Sequence, residues 1–440
     1  MRLRFLPLFA VMAALPAPAF ALDLLAVIKL AEQNDPNLAA VRATRQAAEL
    51  GTSITRAGLL PRVVIGGSIS ENTLKQQSTG KADYDSTQWT AKATLPLFRW
   101  DTWHQHKAAK AQRSQAEASA DDQLQGRFLS IAEAYFNVLR AADNLTLAQA
   151  QEAGLNRQRE QADARFKVGL IAGTDVIEAE AQRDGAVAQR LGSEIELNSA
   201  RETLYAALGQ RIGKLDQLRD SLPTLAPVPD DAEAWADMAR TRNPALLAAR
   251  HNASAADSNV QVQRGAYLPQ IDLFASYSDR DNGSTSNPSI SLSSGTTQTV
   301  GIEANWEVFA SGRTAASVKQ AGYQAEAARQ QARASEHQVV NNARTGFLTV
   351  KADSARLQAR QRAEASAQRA YDATSAGYSV GTRNIVDLLL SETNLYSARR
   401  DYANARYDYV INTLRLQAAV GMLDENAIRQ VNGWLTATKQ

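Results

Sequence analysis

Histidine is the residue type here best suited to metal or acid–base chemistry, and the chain of 440 residues has four. His104 and His106 flank Gln105, a spacing that puts both rings on one face of a strand. The pair falls where a helix begins, with no carboxylate cluster nearby, so metal binding is not expected. His251 and His337 stand alone. There is no cysteine, which excludes thiolate zinc sites, thiol nucleophiles and a lipid-modified N-terminal cysteine. No Ser-His-Asp spacing, phosphate-cradling glycine loop or H-E-x-x-H occurs. No catalytic residue, cofactor or metal is therefore expected. What remains is electrostatic. Asp175 follows Gly169, and Asp387 follows Gly381, at the same spacing. Glycine suits the left-handed position after a helix, and a carboxylate suits the first turn of the next one. Helix capping is the plain structural reading of both aspartates.

The elements that carry these turns are long helices. No proline occurs between Pro96 and Pro223, or after Pro288, and Ala, Gln, Arg and Glu dominate. The spacing predicts helices over about 100–165, 175–209, 311–377 and 385–420. The last has a seven-residue series, Leu388, Leu395, Tyr402, Tyr409 and Leu416, accompanied by small or polar Ser391, Ala398, Ala405, Asn412 and Ala419. That is heptad packing, close enough for long helices side by side.

Four strands precede the helices in pairs. Val63, Ile65, Gly67 and Ile69 alternate with Arg62, Val64, Gly66 and Ser68. Trp89, Ala91, Ala93 and Leu95 do likewise, as do Ile271, Leu273, Ala275 and Tyr277, then Val300, Ile302, Ala304, Trp306 and Val308. The expected strands are about 61–71, 87–98, 268–280 and 297–309, joined by polar loops over 71–86 and 279–298. Trp89, Trp100, Trp103 and Trp306 suit either an aromatic girdle at a membrane interface or plain strand packing.

The order helix, strand, strand, long helix, long helix occurs twice. Pro36 returns as Pro244 and Leu60-Pro61 as Leu268-Pro269, 208 residues on. Val168-Gly169 returns as Val380-Gly381, Asp175 as Asp387, and Leu208-Gly209 as Val420-Gly421, 212 residues on. We read a duplication, with repeats over 22–226 and 227–440 and a linker near Pro223, Pro227 and Pro229.

The first 21 residues read as a signal peptide. Arg2 and Arg4 precede an apolar stretch from Phe5 to Ala17, and Ala19-Phe20-Ala21 is a small-x-small cleavage site, with cleavage after Ala21. Two of the 48 Lys and Arg lie in that segment, leaving 46 against 46 Asp and Glu. The exported chain is neutral, and nucleic acid is not an expected partner. It has no apolar run long enough for a membrane helix, so a crossing requires a closed β-barrel.

Together these features resemble the TolC family of outer-membrane efflux channels, over essentially the whole mature chain. The resemblance is sharpest from Ala376 through Gly377-Tyr378-Ser379-Val380-Gly381-Thr382-Arg383-Asn384-Ile385-Val386 to Asp387, and continues at Asn404-Ala405-Arg406-Tyr407-Asp408-Tyr409. Val168-Gly169-Leu170 through Thr174-Asp175-Val176 is the counterpart in the first copy. It implies a mostly α fold with a membrane β-barrel, a homotrimer sharing one twelve-stranded barrel and a periplasmic α-helical barrel. It also implies an inner-membrane transporter of ABC or RND type and a periplasmic adaptor as partners, contact with outer-membrane lipid, and exported proteins or small toxic compounds as cargo. In the family a Tyr and an Arg on one turn hold the entrance shut against a Thr-Asp pair on the other. The matching residues are Tyr378, Arg383, Thr174 and Asp175. Asp387 matches the first of two acidic rings that select cations, whereas Leu390 stands where the second acid is expected. The competing reading is a periplasmic adaptor with a coiled-coil hairpin, which leaves the paired strands unexplained.

Overall fold

Alternation and helix propensity sort the chain into a sheet and a set of long helices. The computed structural model describes residues 22–78, 80–223 and 226–436. The expected signal peptide, residues 1–21, lies outside them. The described chain forms two units, one comprising Ala39–Gln123 and Arg240–Val340 and the other comprising residues up to Leu38, Leu124–Ala239 and the chain from Asn341.

The elements, in order, are α1 (Leu24–Asn34), α2 (Pro36–Ala57), β1 (Arg62–Gln76), β2 (Gly80–Phe98), α3 (Trp100–Lys167), α4 (Gly173–Leu208) and β3 (Gln217–Leu218). There follow α5 (Ala232–Arg242), α6 (Pro244–Arg264), β4 (Gln270–Asn282), β5 (Gly295–Asn305), α7 (Arg313–Ser379), α8 (Ile385–Ala419), α9 (Glu425–Asn432) and β6 (Leu435–Thr436). Helix α3 has 68 residues and α7 has 67. At 1.5 Å per residue each is about 100 Å long. Among the described residues no helix is long and apolar enough to cross a membrane.

The first unit holds one antiparallel sheet of order β1-β2-β4-β5. Its register puts Ile65, Ala91, Tyr277 and Gln298 in one row and Val63, Ala93, Ala275 and Val300 in the next. Because side chains alternate across a pleat, the odd positions of β1, β2 and β4 share a face with the even positions of β5. That face is apolar, and its Ile69 is 83 % exposed. The opposite face carries Arg62, Ser68, Thr90, Lys92, Ser276, Arg280 and Glu303. Two glycines are roofed by rings on the neighbouring strand: a Cβ on Gly67 would meet the Trp89 indole at 3.0 Å, and one on Gly301 the Phe274 ring at 3.2 Å.

Two strand expectations are corrected. Residues 71–86 were expected as a loop, but the hairpin stays paired up to Gln76 opposite Gly80. Polar cross-strand bonds hold this extension: the Thr73 hydroxyl donates to Asp83 at 2.6 Å, and the Ser286 hydroxyl accepts from the Asp83 backbone at 2.7 Å. Strand β5 was expected to run to 309, but it stops at Asn305, opposite Gln270, where its partner strand begins. Trp306 thus lies beyond the strand, its indole donating to the Tyr267 carbonyl at 3.2 Å. Trp100 does the same to Gln261 at 3.1 Å.

The second unit is helical around a core of Val27, Ile131, Tyr135, Phe136, Leu204, Val410, Leu414 and Ile428, all buried. The Tyr135 hydroxyl donates to the carbonyls of Leu22 and Asp216, at 3.2 and 2.9 Å. Arg406 lies buried with its guanidinium on the carbonyls of Leu218 and Arg219, at 3.0 and 2.8 Å. Asp35 is sealed beneath Arg127 as an ion pair. Burial alone would raise its pKa, but hydrogen bonds from Arg127 and Asn37 outweigh that and hold it below the usual value. Four of the five heptad residues of α8 are buried: Leu388, Leu395, Tyr409 and Leu416.

Candidate functional site

Both turns carrying the candidate residues lie in the helical unit. Helix α3 ends at Lys167, and Gly169 takes φ +73°, a left-handed conformation that only glycine adopts cheaply. Its N–H bonds the Phe166 carbonyl at 2.9 Å, and Leu170 N–H bonds Arg165 at 2.9 Å. Gly381 does the same after α7, at φ +80°. Thr382 closes that turn, donating from its backbone N–H and its hydroxyl to the Gly377 carbonyl, at 2.9 and 3.0 Å. A side chain at Gly377 would meet Arg383 Cγ at 2.9 Å and would have to displace it.

The helices flanking the turns share one apolar cluster. Leu155 and Ala162 come from α3, Ala179 and Ala186 from α4, Tyr378 from α7, and Ile385, Leu388 and Leu389 from α8. Alanine at the α3 and α4 positions lets the backbones approach.

Within one chain the candidate lock residues are not joined. Tyr378 is 7 % exposed, its ring lies under the Arg165 guanidinium at 4.5 Å, and its hydroxyl has no hydrogen-bond partner. Arg383 Nη1 stands 3.7 Å from Asp387 Oδ2, one helical turn on. Thr174 is exposed and Asp175 half-buried in the first turn of α4. Within one chain the carboxylate in ion-pair reach of Arg383 is its i+4 neighbour Asp387. Both members of that pair are well exposed, so it contributes little stability.

Both aspartates lie in the first turn of their helices, where a carboxylate meets the positive end of the helix dipole, but neither is the N-cap residue itself. Asn384 caps α8, its side-chain oxygen accepting from Asp387 N–H at 2.8 Å, and α4 starts after Ala172 without a side-chain cap. Leu390, three residues beyond Asp387, is 59 % exposed.

Glu392 was not foreseen from its sequence context. It is 2 % exposed on α8 and fills the notch left by Gly154 on α3. Burial pushes its carboxyl above the usual range, opposed only in part by a hydrogen bond from Gln158 and the charge of Arg157. Its Oε2 has no partner. A lone Glu inside a helical heptad carries no motif. The Asn384 cap, by contrast, was readable as an Asn directly before an apolar run. Among the described residues no group of His, Cys, Asp and Glu is placed to hold a metal.

A sheet with one apolar and one polar face, long helices, and helical turns bearing carboxylates define a channel protein of the outer membrane with a long helical portion. Two stretches, residues 27–210 and 235–422, match the family described as outer membrane efflux protein, and the chain belongs to that family. It is 33 % identical to outer membrane protein TolC of Vibrio cholerae, over 99 % of this chain and all of that one. It is 29 % identical to the alkaline protease secretion protein AprF of Pseudomonas aeruginosa, over 92 % of this chain and 86 % of the relative. Among solved structures it resembles the channel CusC, with a TM-score of 0.79 at 20 % identity, covering 92 % of this chain and 93 % of that one.

Proposed function

We propose that three copies of this chain form one duct, through which exported proteins or small toxic compounds pass across the periplasm and outer membrane. The observation that carries this reading is the sheet: four strands, one apolar face, and edges β1 and β5 that pair with nothing within the described chain. Lipid tolerates no unpaired strand edge, and four strands are too few to close by themselves. Three copies give twelve strands, with β5 of one subunit beside β1 of the next. Trp100, Trp103 and Trp306, beyond the strand ends, then form the girdle at the periplasmic interface.

The helices form the periplasmic part, built from two repeats of one unit over residues 22–226 and 227–440. An inner-membrane transporter of ABC or RND type and a periplasmic adaptor deliver the cargo. Relatives named for protease secretion support a protein cargo, and relatives named for efflux support small molecules. The function is passage, with no reaction catalysed. The adaptor reading finds no support among the relatives and leaves the four-stranded sheet without a role.

At the entrance, Asp387 from three subunits forms a single ring that favours cations, with the Leu390 side chains beyond it. Tyr378 and Arg383 hold the closed state through Thr174 and Asp175 of the assembled trimer. The unpartnered Tyr378 hydroxyl supports this, since a sealed hydroxyl without a bond costs stability until a neighbour supplies one. Fractionation tests the reading: the chain should be recovered from outer membranes as a heat-modifiable trimer, and recovery as a soluble periplasmic monomer would overturn it.

A further inference from the structure

The two faces of the sheet differ in the sign of their charge as well as in polarity. By register, the face opposite the apolar band carries Arg62, Lys92, Arg280, Asp272 and Glu303. The acids Glu71, Asp83, Asp85, Asp279 and Asp281 fall on the other face, at its outer end, where they outnumber Lys75 and Lys81.

The polar face is not neutral. Asp272 is taken by Arg99, whose Nε and Nη2 reach its two oxygens at 3.0 and 2.5 Å. Glu303, the other acid, stands 3.9 Å from Lys92 Nζ, which also lies 5.2 Å over the Phe274 ring. Arg280 donates to the neutral side-chain oxygen of Gln88 at 2.7 Å. Among the described residues neither Arg280 nor Arg62 has a carboxylate within ion-pair distance. Two guanidinium groups per subunit are left without a counter-charge from their own chain.

We propose that this face is an anion-favouring section of the duct, and that Arg62 and Arg280 are its specificity-determining residues. The inference rests on the channel reading, which turns the apolar face to lipid and this face to the lumen. Permeants bearing carboxylate or phosphate are the class it favours. Three subunits bring to the lumen wall six guanidinium groups that no carboxylate of their own subunit offsets. A twelve-stranded barrel has a radius of roughly 12 Å from strand spacing and tilt. That is comparable with the screening length of about 10 Å at 0.1 M salt, so the field reaches the axis in dilute salt and fades near 1 M. A permeating ion therefore meets an acidic ring at Asp387 and a basic wall in the barrel, and the ring masks the wall in the native channel.

The test is the reversal potential of purified trimers in planar bilayers under a KCl gradient, in an Asp387→Ala background that removes the ring. At about 0.1 M salt this channel should prefer chloride, and the preference should vanish near 1 M. Adding Arg62→Gln and Arg280→Gln should lower the chloride-to-potassium permeability ratio at least about twofold, whereas Arg62→Lys with Arg280→Lys should keep it. An Asp387→Ala channel whose selectivity does not change with salt overturns the proposal, even if the glutamine variant fails to assemble. So does a conducting glutamine variant with an unchanged ratio. Absence of any conductance from the native trimer overturns the channel reading instead.

Discussion

The Glu392 side chain on α8 occupies the space that Gly154 leaves on α3. One residue is chargeable and buried, and the other lacks a side chain, so each position depends on the other. A methyl group at Gly154 would displace the carboxyl. Gly154→Ala is expected to destabilise the protein by about 1–3 kcal/mol, read as a lower thermal midpoint.

The same pair sets a pH dependence. The folded carboxyl titrates above its unfolded value, so the folded state binds the extra proton. Its stabilising effect is complete below the unfolded pKa and is lost as pH rises through the raised folded value. Glu392→Gln copies the protonated form. It should raise stability at pH 7 by about 1 kcal/mol and give no gain near about pH 4. Thermal melts of both proteins at the two pH values check this.

Asp35 behaves in the opposite sense. Its folded pKa is lowered, so the stability from its pair with Arg127 is present above the unfolded value and is lost as pH falls through the folded one. Arg127→Leu strands a carboxylate that is 1 % exposed. A loss of about 3 kcal/mol at pH 7, shrinking in acid, is expected from melts across pH.

Much of this architecture was legible because its periods are plain. Val63, Ile65 and Ile69 alternate as a strand with one apolar face must, and Leu388, Leu395, Tyr409 and Leu416 recur as a heptad must. What was misread lies where pattern gives way to pairing. Residues 71–86 look like a loop because beyond the lipid band nothing demands alternation, yet backbone pairing continues to Gln76. Val308 keeps the alternation going after Asn305, but among the described residues no strand pairs with it there. At the site, types and spacing located the turns, whereas the Arg383–Asp387 pair and the buried Glu392 depend on side-chain packing that no spacing encodes.

The faces of the sheet predict opposite outcomes for neighbouring residues. Ile69→Lys puts a charge on the apolar face and should cost about 2–4 kcal/mol if at mid-membrane, less nearer the interface. Ser68→Lys, on the polar face, should be nearly neutral. Refolding equilibria in detergent or lipid compare the two. Equal costs would reject the assignment of faces.

Tyr378→Phe with Arg383→Ser tests the lock. The Tyr378 hydroxyl has no bond in the single subunit, so the phenylalanine should leave the isolated fold intact. In the trimer the double change removes links of about 0.5–3 kcal/mol each, and channel conductance should rise markedly. Conductance equal to the parent's would reject the lock.

The most direct test of the whole account is single-channel recording from the purified chain in a planar bilayer, with Asp387→Ala beside the parent. The account predicts a small, mostly closed, cation-selective conductance that multivalent cations block, with cation selectivity and block both lost in the variant. A parent that forms no channel, or a variant with the parent's selectivity and block, would contradict it.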